Sequence, residues 1–165
     1  MFKKLFRRTE KSKELQIVAP LNGQIVPLQD VPDPVFGQKM MGEGIAIIPK
    51  DGKVVSPVHG KIIQIPNSKH AVGIEAEDGS EILIHVGLET VALKGEGFEG
   101  KVSAGDDISV GDPLIEFDLE YIKEHADHSI TPIVITNSAN SNKTYTFTKE
   151  TEATAGETVI ITVSE

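Results

Sequence analysis

Apolar positions along the chain recur in short runs, either alternating with polar residues or continuous for a few positions, which is the pattern of β-strands. Residues 15–18, 24–26, 45–48, 54–56, 61–65, 72–76 and 82–86 each make such a run. Four more, at 114–117, 133–135, 145–147 and 159–163, are rich in β-branched or aromatic side chains suited to a pleated, half-buried surface. Turn-forming pairs separate the runs: Asn22-Gly23, Asp51-Gly52, His59-Gly60, Asp78-Gly79, Gly105-Asp106 and Gly111-Asp112. One short helix is expected near 119–126, where Leu119, Ile122 and Ala126 share a face before Thr131-Pro132 restores extended backbone. The fold class that follows is all-β, a mostly antiparallel sandwich or barrel-like domain with one short helix.

Composition narrows the function. The chain has 165 residues, 39% hydrophobic, enough for one packed domain, with 15 Gly and 9 Pro spread among the turns. It has no Cys, which removes disulfides, thiolate metal sites and a cysteine nucleophile. No apolar run reaches the roughly 18 to 20 residues of a membrane-spanning helix. The opening Met1-Phe-Lys-Lys-Leu-Phe-Arg-Arg has the charge of a signal peptide without its apolar core, so a cytoplasmic location is expected.

Charge is divided unevenly. Residues 1–14 hold six Lys or Arg against Glu10 and Glu14, a net +4, so the −9 total leaves −13 on residues 15–165. An acidic body disfavours nucleic acid and favours basic partners. The basic arm, with Phe2, Leu5 and Phe6 among its cations, suits either weak membrane-surface contact or a disordered tail.

The chemistry concentrates between His70 and His85. A two-residue Asp78-Gly79 turn would pair Glu77 with Ser80, Val72 with His85 and His70 with Gly87, making the two histidines diagonal neighbours on one face. Diagonal neighbours lie roughly 7 to 8 Å apart, close enough for one imidazole to carry a phosphoryl group while the other donates a hydrogen bond to it. Structural histidines explain the residues equally well, and a bulge would separate them. Zinc also competes, but only two ligands are visible, and Leu83 stands where a His-x-His pair needs histidine. His59 falls at a turn, His125 and His128 lie at the end of the helix, and Lys94-Gly95-Glu96-Gly97 lacks a phosphate-loop pattern.

The run Gly79-Ser-Glu-Ile-Leu-Ile-His85-Val-Gly-Leu-Glu-Thr90-Val91 resembles the phosphorylation-site motif of glucose-family enzyme IIA of the bacterial sugar phosphotransferase system. Asp30-Val-Pro-Asp33, Val35-Phe36, Gly42-Glu-Gly-Ile-Ala-Ile47, Ser56-Pro-Val, Leu93-Lys-Gly-Glu-Gly-Phe98, Ile115-Glu-Phe-Asp118 and Thr131-Pro-Ile-Val-Ile-Thr-Asn137 extend the resemblance across residues 15–165, taken as the enzyme IIA domain. The resemblance implies a carrier that accepts phosphate on His85 through Nε2 from the histidine-containing phosphocarrier protein and passes it to a cysteine of enzyme IIB. It implies that His70 stabilises the phosphoryl group and that Ser68 supplies a supporting hydroxyl. Val35, Phe36, Met41, Leu83 and Val91 match an apolar docking patch, while Pro66 replaces an aromatic residue of some relatives. No intrinsic cofactor is implied, although some relatives share a zinc through the two histidines and a partner carboxylate. Two other readings remain: a non-catalytic module that regulates permeases or enzymes by docking, and a biotinyl or lipoyl carrier. The last lacks its lysine tripeptide, since neither Asp-Lys-Ala nor Met-Lys-Met occurs.

Overall fold

The computed structural model describes residues 14–165. The basic arm, apart from Glu14, therefore lies outside the described residues.

Strands β1 (Leu15–Val18), β12 (Thr144–Phe147) and β14 (Val159–Ser164) form one three-stranded sheet, ordered β1-β14-β12. A second joins β4 (Lys53–Val55), β10 (Pro113–Phe117) and β8 (Phe98–Gly100) in the order β4-β10-β8. The large eight-stranded sheet runs β13-β2-β3-β11-β7-β6-β5-β9. Its members are β2 (Gly23–Pro27), β3 (Glu43–Pro49), β5 (Gly60–Gln64), β6 (Ala71–Ala76), β7 (Glu81–His85), β9 (Asp107–Ile108), β11 (Thr131–Ile135) and β13 (Glu152–Ala153). Every named pairing is antiparallel.

The sandwich holds together because all three sheets supply one apolar cluster. Ile17, Ile161 and Val163 meet Val54, Leu114 and Ile115, and both groups pack with Ile47, Val72, Ile74, Ile84 and Ile133 of the large sheet. Side-chain alternation along β7 sends Ile82 and Ile84 into this core and leaves Leu83 and His85 on the opposite face. Strand β11 is buried throughout because its outer face is covered too. There Val134 joins a second cluster with Leu28, Val31, Phe36, Ala46, Leu88 and Ile130.

Helix α2 (Leu119–His125) occupies the expected place, with Asp118 accepting a hydrogen bond from the Tyr121 amide as its cap. A second helix, α1 (Pro34–Gly37), corrects the expectation of only one. Its single turn is too short to show helical periodicity, but Asp33 caps it and Pro34 stands at its start. Strands β8, β9 and β13, two or three residues each, are likewise too short for a pattern to reveal. Among the described residues no helix is long and apolar enough to cross a membrane.

The β6–β7 hairpin corrects the expected register by one residue. The turn has three residues, not two: the Gly79 amide donates to the Ala76 carbonyl, the Ala76 amide donates to the Ser80 carbonyl, and Gly79 takes φ +90°. This is a type I turn closed by a left-handed residue, a common three-residue hairpin. Ala71 therefore faces His85, and Val72 faces Ile84. Asn137 and Lys143 clamp the tip, donating to the Gly79 and Asp78 carbonyls at 3.0 and 2.6 Å. An added Cβ at Gly79 meets nothing within 4 Å, so its substitution would add only backbone strain. Gly79→Ala should lower stability by about 1–2 kcal/mol, and Gly79→Asn by less. Urea unfolding of the three proteins checks both the loss and its order.

Candidate functional site

Strand β7 ends at His85, and the chain turns at once through Gly87, which takes φ +73°. A Cβ at Gly87 would lie 2.7 Å from Thr90 Cγ2 and 2.8 Å from the His128 carbonyl, so this turn requires glycine on both conformational and steric grounds. Two further bonds hold it. Buried Thr90 donates from Oγ1 to the Val86 carbonyl at 2.6 Å, and the Leu88 amide donates to the His128 carbonyl at 2.8 Å. The Gly87 carbonyl is thereby placed 2.8 Å from His85 Nδ1. A carbonyl can only accept, so Nδ1 carries the proton in this contact, and in the neutral ring Nε2 is left with a free lone pair.

His70 arrives by a different route from the one the two-residue turn suggests. It lies just before β6, and its carbonyl accepts from the Val86 amide at 2.7 Å, so it faces Val86 and not Gly87. Strict alternation from that register would put His70 and His85 on opposite faces. The backbone bends at His70, however, after Lys69 in the left-handed region at φ +57°, and the side chain is released from the pleat. The two rings meet edge to face, with centroids 4.9 Å apart and planes at 82°. The convergence read from the sequence is present, although the register that predicted it is not.

Ser68 Oγ lies 2.5 Å from His70 Nδ1. With the hydroxyl donating to Nδ1, the neutral His70 ring carries its proton on Nε2 and can donate from there. Burial, reinforced by the neighbouring His85, pushes the His70 pKa down to about 4. Burial also lowers the pKa of His85, opposed by its bond to the Gly87 carbonyl and by the charges of Asp33 and Glu89. Both depressions favour neutral rings near pH 7.

Phe36 completes the surroundings of His85, its ring centroid 5.2 Å from the imidazole at a 54° tilt. The expected apolar patch divides in two. Val35, Met41 and Val91 are exposed at 40, 37 and 56%, Leu83 is half-buried, and Phe36 is only 7% exposed. Phe36 therefore supports His85 from within the second apolar cluster, and the other four offer outer surface. Exposed Met40 adjoins Met41. Pro66 accepts a backbone hydrogen bond from Lys69 and so shapes the turn that delivers His70.

The other histidines stand apart from this pair. His59 is exposed in a bend, and His125 ends α2, stacked on Tyr121 at 4.1 Å. His128 is built into the backbone: its Nδ1 accepts from the Ile130 amide, and its carbonyl pins Leu88. Lys94-Gly95-Glu96-Gly97 forms turns, as the absence of a phosphate-loop pattern suggested. A cavity of about 350 Å³ lies elsewhere, among Ile25, Leu28, Ile45 and Phe147. Among the described residues no group of three or more His, Cys, Asp or Glu could hold a metal ion. Sequence reasoning did not single out Asp33, the Gly87 carbonyl or Thr90. Asp33 alone left a local signal, an acid placed before Pro34 as helix caps are.

Residues 15–141 match the family described as phosphoenolpyruvate-dependent sugar phosphotransferase system, EIIA 1. The chain belongs to this EIIA family. The glucose-specific EIIA component of Bacillus cereus is 55% identical over 166 residues, covering 99% of each chain. That of Halalkalibacterium halodurans is 52% identical over 172 residues, covering 99% of this chain and 98% of the relative. Among solved structures, the glucose permease IIA from Mycoplasma capricolum superposes with a TM-score of 0.82 at 35% identity, over 91% of this chain and 96% of that one. The EIIA chain thus has a role in phosphoryl transfer within the sugar phosphotransferase system, and its fold is that of the family's β-sandwich.

The depressed pKa of His70 has a defined effect on stability. Between the folded value of about 4 and the ordinary value of 6.5, the unfolded EIIA chain binds more protons at this residue than the folded one. The stabilising contribution is complete above pH 6.5 and is lost as pH falls toward 4, with a slope of at most about 1.4 kcal/mol per pH unit for one group. Wild type should therefore lose stability relative to His70→Gln as pH falls from 6.5 to 4, with a constant difference above pH 7. Urea unfolding of both proteins across this range measures it.

Proposed function

We propose that this EIIA chain is a phosphoryl carrier that accepts phosphate on His85 Nε2 from the histidine-containing phosphocarrier protein and delivers it to a cysteine of enzyme IIB. The observation that carries the reading is the 2.8 Å contact between His85 Nδ1 and the Gly87 carbonyl, which leaves Nε2 as the nucleophilic atom.

In the first half-reaction the Nε2 lone pair forms the new P–N bond as the bond to the donor's histidine breaks. Nδ1 keeps its proton, so the phosphorylated ring carries a positive charge beside the negative phosphoryl oxygens and remains a good leaving group. In the second, a thiolate of enzyme IIB attacks phosphorus, the P–N bond breaks, and its electron pair returns to Nε2. In this mechanism His70 donates its Nε2 proton to a phosphoryl oxygen and Ser68 holds the required tautomer. Neither step requires the carrier to supply a base or exchange a proton with water, and positioning with electrostatic stabilisation does the work.

Exposed Val35, Met41 and Val91, with half-buried Leu83, give both partners an apolar surface around the reacting atom. Acidic surface beyond this patch favours basic partners and speeds encounter. The same face could serve regulatory docking on permeases or enzymes. A zinc shared with such a partner would take the two imidazoles as ligands and need a carboxylate from the partner, since the described residues offer no third ligand.

The histidine roles predict different half-reactions. His85→Ala should lose all phosphate acceptance from phosphoenolpyruvate, enzyme I and the phosphocarrier. His70→Gln should still accept phosphate yet lose most onward transfer to enzyme IIB, by about 10²-fold or more. Gel or mass detection of acid-labile phosphate, with the two half-reactions followed separately, checks both. Phosphorylation of His85→Ala at a base-stable, acid-labile site would refute the assignment.

A further inference from the structure

Three contacts fix the His85 ring: the Gly87 carbonyl at Nδ1, the edge of His70, and the ring of Phe36. The first two follow from the hairpin and the turns around it. The third comes from a separate part of the chain, and Phe36 lies on the single-turn helix α1. So short a helix gains little from its own backbone bonds, because nucleation is unfavourable and most of its amides lack an intrahelical acceptor.

What holds this turn is Asp33. Its carboxylate accepts from the Val35 amide at 2.8 Å and from the Phe36 amide at 3.4 Å, while its carbonyl accepts from the Gly37 amide at 2.7 Å. One residue thus bonds three of the four α1 backbone positions, the fourth being Pro34, which has no amide proton. The Phe36 amide is itself one of the bonded groups, so the cap acts directly on the residue that touches His85.

We propose that Asp33 is a positioning residue for phosphoryl transfer: by capping α1 it holds Phe36 against the His85 ring and keeps Nε2 aimed at the incoming phosphorus. This rests on the reading of His85 as the phosphorylated residue. The role belongs to the capping oxygen, and an Asn side chain offers the same acceptor without the charge. A second explanation for any importance of Asp33 is recognition of a cationic group on a partner, which would require the charge. The Asn substitution separates the two.

The test measures single-turnover transfer from the phosphorylated phosphocarrier over a range of carrier concentrations, for wild type, Asp33→Ala and Asp33→Asn. Asp33→Ala should lower the saturating rate about 10-fold, a modest share of what a misplaced reacting group can cost, with the half-saturating concentration changed less than twofold. Asp33→Asn should restore most of that rate. In parallel, proton NMR of the unphosphorylated proteins should show the ring-current shift of Phe36 on the His85 ring protons lost in Asp33→Ala and retained in Asp33→Asn. This second readout uses no donor and also reports whether each variant is folded. Equal slowing by Ala and Asn, an effect confined to the half-saturating concentration, an unchanged rate in Asp33→Ala, or an unaltered ring-current shift would each overturn the proposal. His85→Ala in the same assay tests the underlying reading: continued acceptance there would remove the assignment of His85, whereas the NMR result would still judge the cap.

Discussion

The site depends on one hydrogen bond, the 2.8 Å contact between His85 Nδ1 and the Gly87 carbonyl. An imidazole has two chemically similar nitrogens, and a carrier that must use one of them has to remove the other from competition. The carbonyl does this without a charged residue, by giving the Nδ1 proton a fixed acceptor. It also fixes the ring about its own axis. The surrounding construction can be understood as support for that carbonyl: the left-handed Gly87, the Thr90 hydroxyl on Val86, and the His128 carbonyl on Leu88.

The sandwich supplies the rigidity that so exact a contact needs. Strand β7 lies between β11 and β6, its even positions locked into the main core and its tip clamped by Asn137 and Lys143. His85 is thereby the last residue of a strand with almost no freedom, facing outward beside an apolar surface. His70 approaches from the neighbouring strand's entry, low in pKa because it is buried beside another imidazole, and is therefore a neutral donor at the pH where transfer would occur. Rigid framework and exposed reacting atom are separated by a single residue, Ile84 inward and His85 outward.

Much of this was legible in the sequence. The long alternating runs marked the main strands, and α2 showed itself through Leu119 and Ile122, because burial on one face leaves a periodic trace. The pairing of His70 with His85 was also visible, though the reasoning reached it through the wrong register. Asp78-Gly79 permits both two- and three-residue turns, and the local residues do not choose between them; the clamp from Asn137 and Lys143, far along the chain, holds the observed one. The roles of Gly87 and Thr90 escaped because they reside in a backbone carbonyl and a backbone-directed hydroxyl, which residue identity does not advertise. Phe36 was recognised by resemblance as part of an apolar patch, but only packing against Leu28, Val31 and Leu88 reveals it as buried support.

The central claim, that the backbone selects Nε2 of His85 as the reacting atom, is tested most directly by the ring tautomers in the unphosphorylated protein. Long-range nitrogen–proton correlation spectra of ¹⁵N-labelled histidine near neutral pH distinguish a protonated from an unprotonated ring nitrogen. The account predicts the Nδ1–H form for His85, with its Nε2 resonance in the unprotonated range, and the Nε2–H form for His70. A His85 ring protonated on Nε2 would contradict it, because the atom assigned as nucleophile would then have no free lone pair.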